Sequence, residues 1–153
     1  MISRLRPLLL VIALGAAGCS DQLVNTRPEA IRGALWGNRA LWNAQNLDDY
    51  RYTYDVVCPF CSTTGPLQVT VRDGQVVDVR EEGGDALPRE WWAGDFFTMD
   101  EIFDQLTEAQ SRNEHTEVSY HRSLGYPVDV VIGNGNTRNV RVRMLSSDLT
   151  RIR

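Results

Sequence analysis

Residues 50–56, Tyr-Arg-Tyr-Thr-Tyr-Asp-Val, decide the fold of this chain. The residue type changes with a period of two, so the three tyrosines fall on one side of an extended strand and the three polar residues fall on the other. Val56 and Cys58 continue the tyrosine side. The alternation predicts a half-buried β-strand that has one face in the core and one face toward solvent.

A hairpin is predicted directly after this strand. Apolar residues at 67, 69 and 71 alternate with polar ones before the turn pair Asp73-Gly74, and valines follow at 77 and 79. We predict a three-residue loop over residues 72–74, because that length places Val69 opposite Val77 and keeps the apolar residues on one face.

The last third of the chain repeats the strand pattern. Val118 and Tyr120 open a strand, residues 124–127 interrupt it, residues 128–132 resume the alternation, and residues 133–136 form a turn. A final strand runs through Met144, with Arg141 and Arg143 pointing outward near Asp129. Residues after Ser146 are expected to fray.

Two helices are predicted from capping-box sequences, in which a threonine is followed three residues later by a glutamate. The first starts at Thr26 to Glu29 and ends near Asn46; the second starts at Thr98 to Glu101. Both predicted helices carry apolar residues at helical spacing. These residues are Ile31, Leu35, Leu41 and Trp42 in the first, and Ile102, Phe103, Leu106 and Ala109 in the second.

The predicted order is one helix, three strands, one helix and three strands, with links too short for parallel crossovers. This order indicates an α+β fold, an antiparallel sheet of about six strands with both helices packed on one face.

The first nineteen residues resemble a bacterial lipoprotein signal. Arg4 and Arg6 precede the apolar run Leu8 to Leu14, and small residues lead to Cys19. The run is far shorter than the roughly 20 residues that a membrane-spanning helix needs. The resemblance implies a signal peptide over residues 1–18, diacylglyceryl and further acyl groups such as palmitate on Cys19, a tether over 19–25 and a single domain over 26–153. The domain would lie outside the cytoplasm in the cell envelope, held by its lipid to the cytoplasmic or outer membrane.

The net charge of the chain limits the classes of partner that are expected. The chain has 16 basic and 20 acidic residues, a net charge of −4, and loss of Arg4 and Arg6 with the signal peptide would bring it to −6. A nucleic-acid partner is therefore not expected. All 16 basic residues are arginine, which excludes Schiff-base chemistry and a P-loop lysine. No cofactor, metal site or catalytic residue is assigned.

The remaining two cysteines form the motif Cys58-Pro59-Phe60-Cys61. After export such a pair is expected to be a structural disulfide. The alternative is a redox-active pair, which would cycle near the potential of envelope oxidants, whereas a structural disulfide would resist reduction. Zinc held by these cysteines with His115 and His121 is disfavoured, because six residues of one strand would separate the histidines by roughly 20 Å.

One aromatic segment is a candidate binding surface, since aromatic residues in an irregular, glycine-flanked loop form apolar patches. Burial of the same residues over the sheet is the other interpretation. The residues are Trp91, Trp92, Phe96 and Phe97.

The chain resembles a family of exported bacterial lipoproteins classed as a domain of unknown function. The resemblance spans residues 42–132 and rests on an ordered set of short motifs. These motifs are Trp42, Asp49 to Tyr54, the paired cysteines, the Val-x-Asp-Gly-x-Val-Val element of residues 71–77, Thr98 to Phe103, and Leu124-Gly125-Tyr126-Pro127. It implies an envelope location and a disulfide near the first strand, and it supplies no activity.

The sequence therefore favours a non-catalytic module that binds a protein, a lipid or another envelope ligand and is attached to a membrane by its lipid. The alternative hypothesis is an envelope thiol-disulfide oxidoreductase that uses Cys58 and Cys61. A third hypothesis, an inhibitor or assembly factor built on the same sheet, rests on fold analogy alone.

Overall fold

A computed structural model of the chain describes residues 28–57, 66–81, 83–89, 94–133 and 140–152. Its elements follow the predicted order of helix, three strands, helix and three strands. They are α1 (Pro28–Asn43), β1 (Tyr50–Val57), β2 (Leu67–Arg72), β3 (Gln75–Glu81), α2 (Met99–Ser111), β4 (His115–Tyr120), β5 (Pro127–Gly133) and β6 (Val140–Arg151). The α+β fold is confirmed.

The six strands form one antiparallel sheet in the order β3-β2-β1-β6-β5-β4. The last strand in sequence therefore lies at the centre, between β1 and β5. The expectation that residues after Ser146 fray is wrong, because β6 continues to Arg151, which pairs with Tyr50. An irregularity in the register near Asp148, whose φ is 53°, lets the strand keep this pairing.

The three tyrosines of β1 form the centre of the core, each at most 1% exposed. The Tyr50 hydroxyl accepts a hydrogen bond of 2.8 Å from the amide of Met99, and the Tyr52 hydroxyl donates to the carbonyl of Phe97. The Trp42 ring of α1 meets Tyr50 edge-on, with ring centres 5.4 Å apart. Tyr50 thus contacts both helices, and both cover the tyrosine face of the sheet.

The second helix begins as the sequence predicts. The amide of Glu101 donates to the Thr98 hydroxyl, and the Glu101 carboxylate accepts from the amide of Thr98, so both halves of the capping box are present. All four apolar residues predicted for its buried face are fully buried. Phe103 among them stacks on Tyr120 of β4.

The first helix differs from its prediction at its end and on one face. Its last residue is Asn43, and Asn46 instead has a left-handed φ of 48°. Leu35 and Trp42 are buried as predicted, but Leu41 is 37% exposed and does not belong to the buried face. The capping residues Thr26 and Arg27 and the side chain of Ile31 lie outside the described part of the chain.

The hairpin between β2 and β3 has a different loop from the predicted one. Arg72 pairs with Gln75, so the turn contains only Asp73 and Gly74, both with positive φ. A two-residue turn alone would place Val79 on the face away from the core. A β-bulge at residues 76–78 adds one residue, so that Val69 faces Val79 instead of Val77, and the extra residue Val77 is 48% exposed.

The connection between β4 and β5 packs against the backbone of α1 at Gly125. Gly125 has a φ of 80°, and its amide donates to the carbonyl of His121. A β-carbon placed on it would lie 2.5 Å from the carbonyl oxygen of Asn38 and 3.0 Å from the amide nitrogen of Trp42. The absence of a side chain at this position therefore allows the connection to pack directly against the helix backbone.

Candidate functional site

Several residues singled out in the sequence lie outside the described ranges. These are Cys19, Cys58, Cys61, Trp91 and Trp92. The other half of the aromatic segment is in the core. Phe96 is 5% exposed and packs edge-on against Tyr54, with ring centres 5.4 Å apart. Phe97 is partly buried against the same core. These two phenylalanines therefore pack the domain and form no exposed patch.

The two histidines lie at opposite ends of β4. His115 opens the strand and contacts the carboxylate of Glu117 at 2.9 Å. His121 follows its last residue and stacks on the ring of Tyr126. No group of three or more potential metal-binding side chains occurs within the described ranges.

Within the described ranges, Ser123 and His121 form a contact that resembles a nucleophile beside a base. Ser123 Oγ lies 3.4 Å from His121 Nδ1, a long distance for a hydrogen bond between these atoms. The amide of Leu124 already donates to that nitrogen at 3.2 Å. Nδ1 of His121 is thus already in contact with a backbone amide of the turn, and Ser123 would have to share it.

The sheet has a second surface, which we call the open face. Since the β1 tyrosines point to the helices, the residues between them point the other way, together with their cross-strand neighbours. The open face includes Arg51, Thr53, Asp55, Val57, Gln68, Thr70, Asp78, Arg80, Asp129, Val131, Arg143 and Leu145, of which Thr70 is buried. It is mainly polar, with Val57 as its most exposed apolar residue at 60%.

Two ion pairs orient four of the charged side chains of the open face. Arg143 Nε and Nη2 donate to the two carboxylate oxygens of Asp129 at 3.1 and 2.7 Å, which confirms the predicted proximity of these residues. The hydrogen bonds that Arg143 donates to Asp129, together with the negative charge of that carboxylate, raise the pKa of Arg143 above its ordinary value. Arg80 Nε and Nη2 both contact a single oxygen of Asp78, Oδ2, at 2.8 and 2.7 Å. Water screens such exposed pairs, so they contribute to side-chain orientation more than to stability.

A shallow polar pocket lies where α1 ends and β1 begins. It has a volume of about 230 Å³ and is lined by Asn46, Leu47, Asp48, Asp49, Arg151 and Ile152. The Asp49 carboxylate accepts from the amide of Asp73, and Arg151 donates to the carbonyls of Gln45 and Asn46. Its charged groups thus serve contacts within the chain, and its volume is below the roughly 300 Å³ at which ligand pockets begin.

The outward side of α1 is apolar, which the sequence interpretation missed. Six exposed residues form this side of the helix, which we call the outer face of α1. They are Gly33, Trp36, Gly37, Ala40, Leu41 and Ala44. Trp36 is 58% exposed. Their spacing of three and four residues places them on one side of the helix, opposite the buried Leu35 and Trp42. Among the described residues, no helix has the length and apolar content needed to cross a bilayer.

Comparison with known proteins gives one match. The model of a family described as a family of unknown function, DUF6174, matches residues 34–138. No curated protein and no solved structure matches the chain. The matched segment starts inside α1 and ends before β6, although β6 is the central strand of the sheet. The folded unit therefore extends beyond the matched segment.

Proposed function

We propose a non-catalytic binding function for this chain, which belongs to the family of unknown function DUF6174. In this proposal the protein is an envelope lipoprotein, attached to a membrane through Cys19, and it binds a protein partner through the open face. The observation that carries the proposal is that both helices cover one face of the sheet, while the other face presents arginine and aspartate side chains, four of which form ion pairs.

The size of the open face indicates a weak partner contact. Six strands at about 4.8 Å spacing span about 24 Å, and six to seven residues along a strand span about 20 Å. The resulting area of about 500 Å² is below the roughly 800 Å² that each partner contributes to a standard stable interface. A transient complex, rather than a permanent one, fits this area.

The pattern of charges on the open face supports a protein as the partner bound there. Arginine is common in protein interfaces, where its planar guanidinium makes directional hydrogen bonds. On the open face Arg51, Arg80 and Arg143 alternate with Asp55, Asp78 and Asp129. Mixed charges held on rigid strands can select a complementary surface and reject others by like-charge repulsion.

The oxidoreductase alternative has less support. Thioredoxin-like enzymes place the reactive cysteine at a helix N-terminus, where the helix dipole lowers its pKa. Here the sequence Ser-Thr-Thr-Gly-Pro at residues 62–66 follows Cys61, and its glycine and proline disfavour a helix that would begin at Cys58. We therefore keep the structural disulfide between Cys58 and Cys61 as part of the proposal.

The anchor is tested by substituting its cysteine. The wild-type protein isolated from cells is expected to start at Cys19, carry the mass of its acyl chains and stay in the membrane fraction after high-salt washing. Cys19→Ser is expected to lack the acyl mass and to leave that fraction. A wild-type chain that retains residues 1–18 without acylation would contradict the proposed anchor.

The binding surface is tested by photo-crosslinking in cells. A photoreactive residue at Val57 on the open face is expected to give one adduct of defined mass, and the same residue at Glu108 on exposed α2 serves as the control. Arg143→Glu is expected to reduce the Val57 adduct at least tenfold, because it reverses a charge of the interface.

The double variant Arg143→Asp with Asp129→Arg controls for folding, since it keeps an ion pair but reverses the outward charges. It is expected to unfold at the wild-type temperature and still to lose the adduct. Equal adducts from Val57 and Glu108, or an adduct that survives both charge reversals, would refute binding through the open face.

A further inference from the structure

The outer face of α1 is an exposed apolar surface in a place where a soluble helix normally carries charge. A helix packed on a sheet is apolar toward the core and polar toward water, and an apolar outer side indicates a second buried contact. Trp36 at 58% and Leu41 at 37% exposure are two of the four large apolar side chains that are exposed within the described residues. The small residues between them leave both side chains free to project.

We propose that the outer face of α1 lies on the lipid bilayer, with Trp36 in the interfacial layer. This inference rests on the proposed anchor at Cys19. It assigns the bilayer as the partner of α1 and gives the domain an orientation, with the open face directed away from the membrane.

The distance along the chain supports the bilayer as occupant. Pro28, the first residue of α1, is nine residues after Cys19. Nine extended residues reach at most about 30 Å, so a lipid on Cys19 would hold α1 close to the membrane surface. A tether this short gives a high effective concentration, and a contact too weak to bind alone then becomes occupied.

The chemistry of the helix agrees with this position. Tryptophan is enriched at membrane interfaces because its ring is apolar and its N–H is polar. Arg32, exposed and one turn before Trp36, can place its charge among anionic headgroups. The only acidic residue of α1 is Glu29, in its first turn, whereas the whole chain has a net charge of −4.

The experiment uses the acylated protein in vesicles of phosphatidylethanolamine and phosphatidylglycerol. An environment-sensitive fluorophore is attached at Ala40→Cys on the outer face of α1 or, as a matched control, at Arg51→Cys on the open face. We expect the Ala40 label to be quenched by nitroxides on the lipid chains and protected from aqueous iodide, and the Arg51 label to behave in the opposite way. Trp36→Ala is expected to reduce the lipid quenching of the Ala40 label at least threefold.

The outcomes separate this inference from the proposed function. Acylated protein whose Ala40 label stays accessible to iodide would overturn the bilayer contact and leave the anchor intact. Protein without acyl chains would overturn both. Disulfide-linked dimers through Ala40→Cys that form equally without vesicles would overturn the bilayer contact in favour of a second copy of the chain, a pairing that Gly33 and Gly37 would permit sterically.

Discussion

Replacing Gly125 with alanine is expected to lower the free energy of unfolding by about 3 to 5 kcal/mol. Two costs combine at this position. The φ of 80° is unfavourable for any residue with a β-carbon, and the added carbon would lie 2.5 Å from the carbonyl oxygen of Asn38. Because that atom belongs to the backbone of α1, it cannot move aside without separating the helix from the connection between β4 and β5.

Gly74→Ala is the matched control for this prediction. Gly74 also has a positive φ, 67°, but a β-carbon there would meet nothing within 4 Å. Its substitution should therefore cost only the conformational strain, about 1 to 2 kcal/mol. Urea unfolding of both variants measures the difference, and equal losses would show that the contact between Gly125 and α1 does not stabilise the domain.

Stability is expected to fall steeply above pH 10, because the folded protein keeps its tyrosines protonated. Burial raises the pKa of all five tyrosines, to about 12 for Tyr120 and further for Tyr52, whose tyrosine neighbours on β1 add to the effect. In the unfolded chain the same phenols lose their protons near pH 10. The unfolded state therefore binds fewer protons above that pH, and its relative free energy drops.

The expected size follows from the number of buried phenols. The stabilisation is complete below pH 10 and is lost as the pH rises toward the folded-state pKa values. Each fully buried tyrosine contributes a slope of about 1.4 kcal/mol per pH unit, so the three on β1 together contribute about 4. Tyrosinate absorbance and loss of the circular dichroism signal should appear together in one transition.

Tyr54→Phe is the variant that isolates one phenol. The Tyr54 hydroxyl is buried and has no hydrogen-bond partner among the described residues. Its removal is expected to leave stability at pH 7 unchanged or slightly higher and to reduce the alkaline slope by about a third. Gradual tyrosinate formation near pH 10 in a protein that stays folded would contradict the prediction.

Local patterns in the sequence predict much of this fold. The tyrosine alternation places β1 correctly, and the capping box at Thr98 predicts the start of α2. The pairing of Arg143 with Asp129 also follows, since the two residues lie on the same face of neighbouring strands.

The errors occur where pairing with a neighbouring strand decides the structure. The register of β3 depends on a bulge, and a period of two does not reveal where an extra residue is inserted. The polar residues after Ser146 continue as a strand because β1 is available to pair with them, not because of their own propensity.

The surfaces were harder to predict than the strands. Apolar residues occur on most sides of α1, so helical spacing alone does not show which side faces the core. The prediction that Leu41 lies on the buried side is therefore wrong. The aromatic segment is ambiguous for a similar reason, because its sequence is compatible with either a buried or an exposed Phe96. The structure shows Phe96 buried. The outer face of α1 is predictable from the helical spacing of small and apolar residues at positions 33, 36, 37, 40, 41 and 44.

The central place of β6 has a consequence for the order of events during biosynthesis. The strands made first, β1 to β3, and those made later, β4 and β5, are joined only through β6. Since β6 follows both groups of strands in the chain, the two halves of the sheet cannot pair until β6 has been synthesised. A chain that lacks β6 would leave β1 and β5 with unpaired edges, which are prone to aggregation.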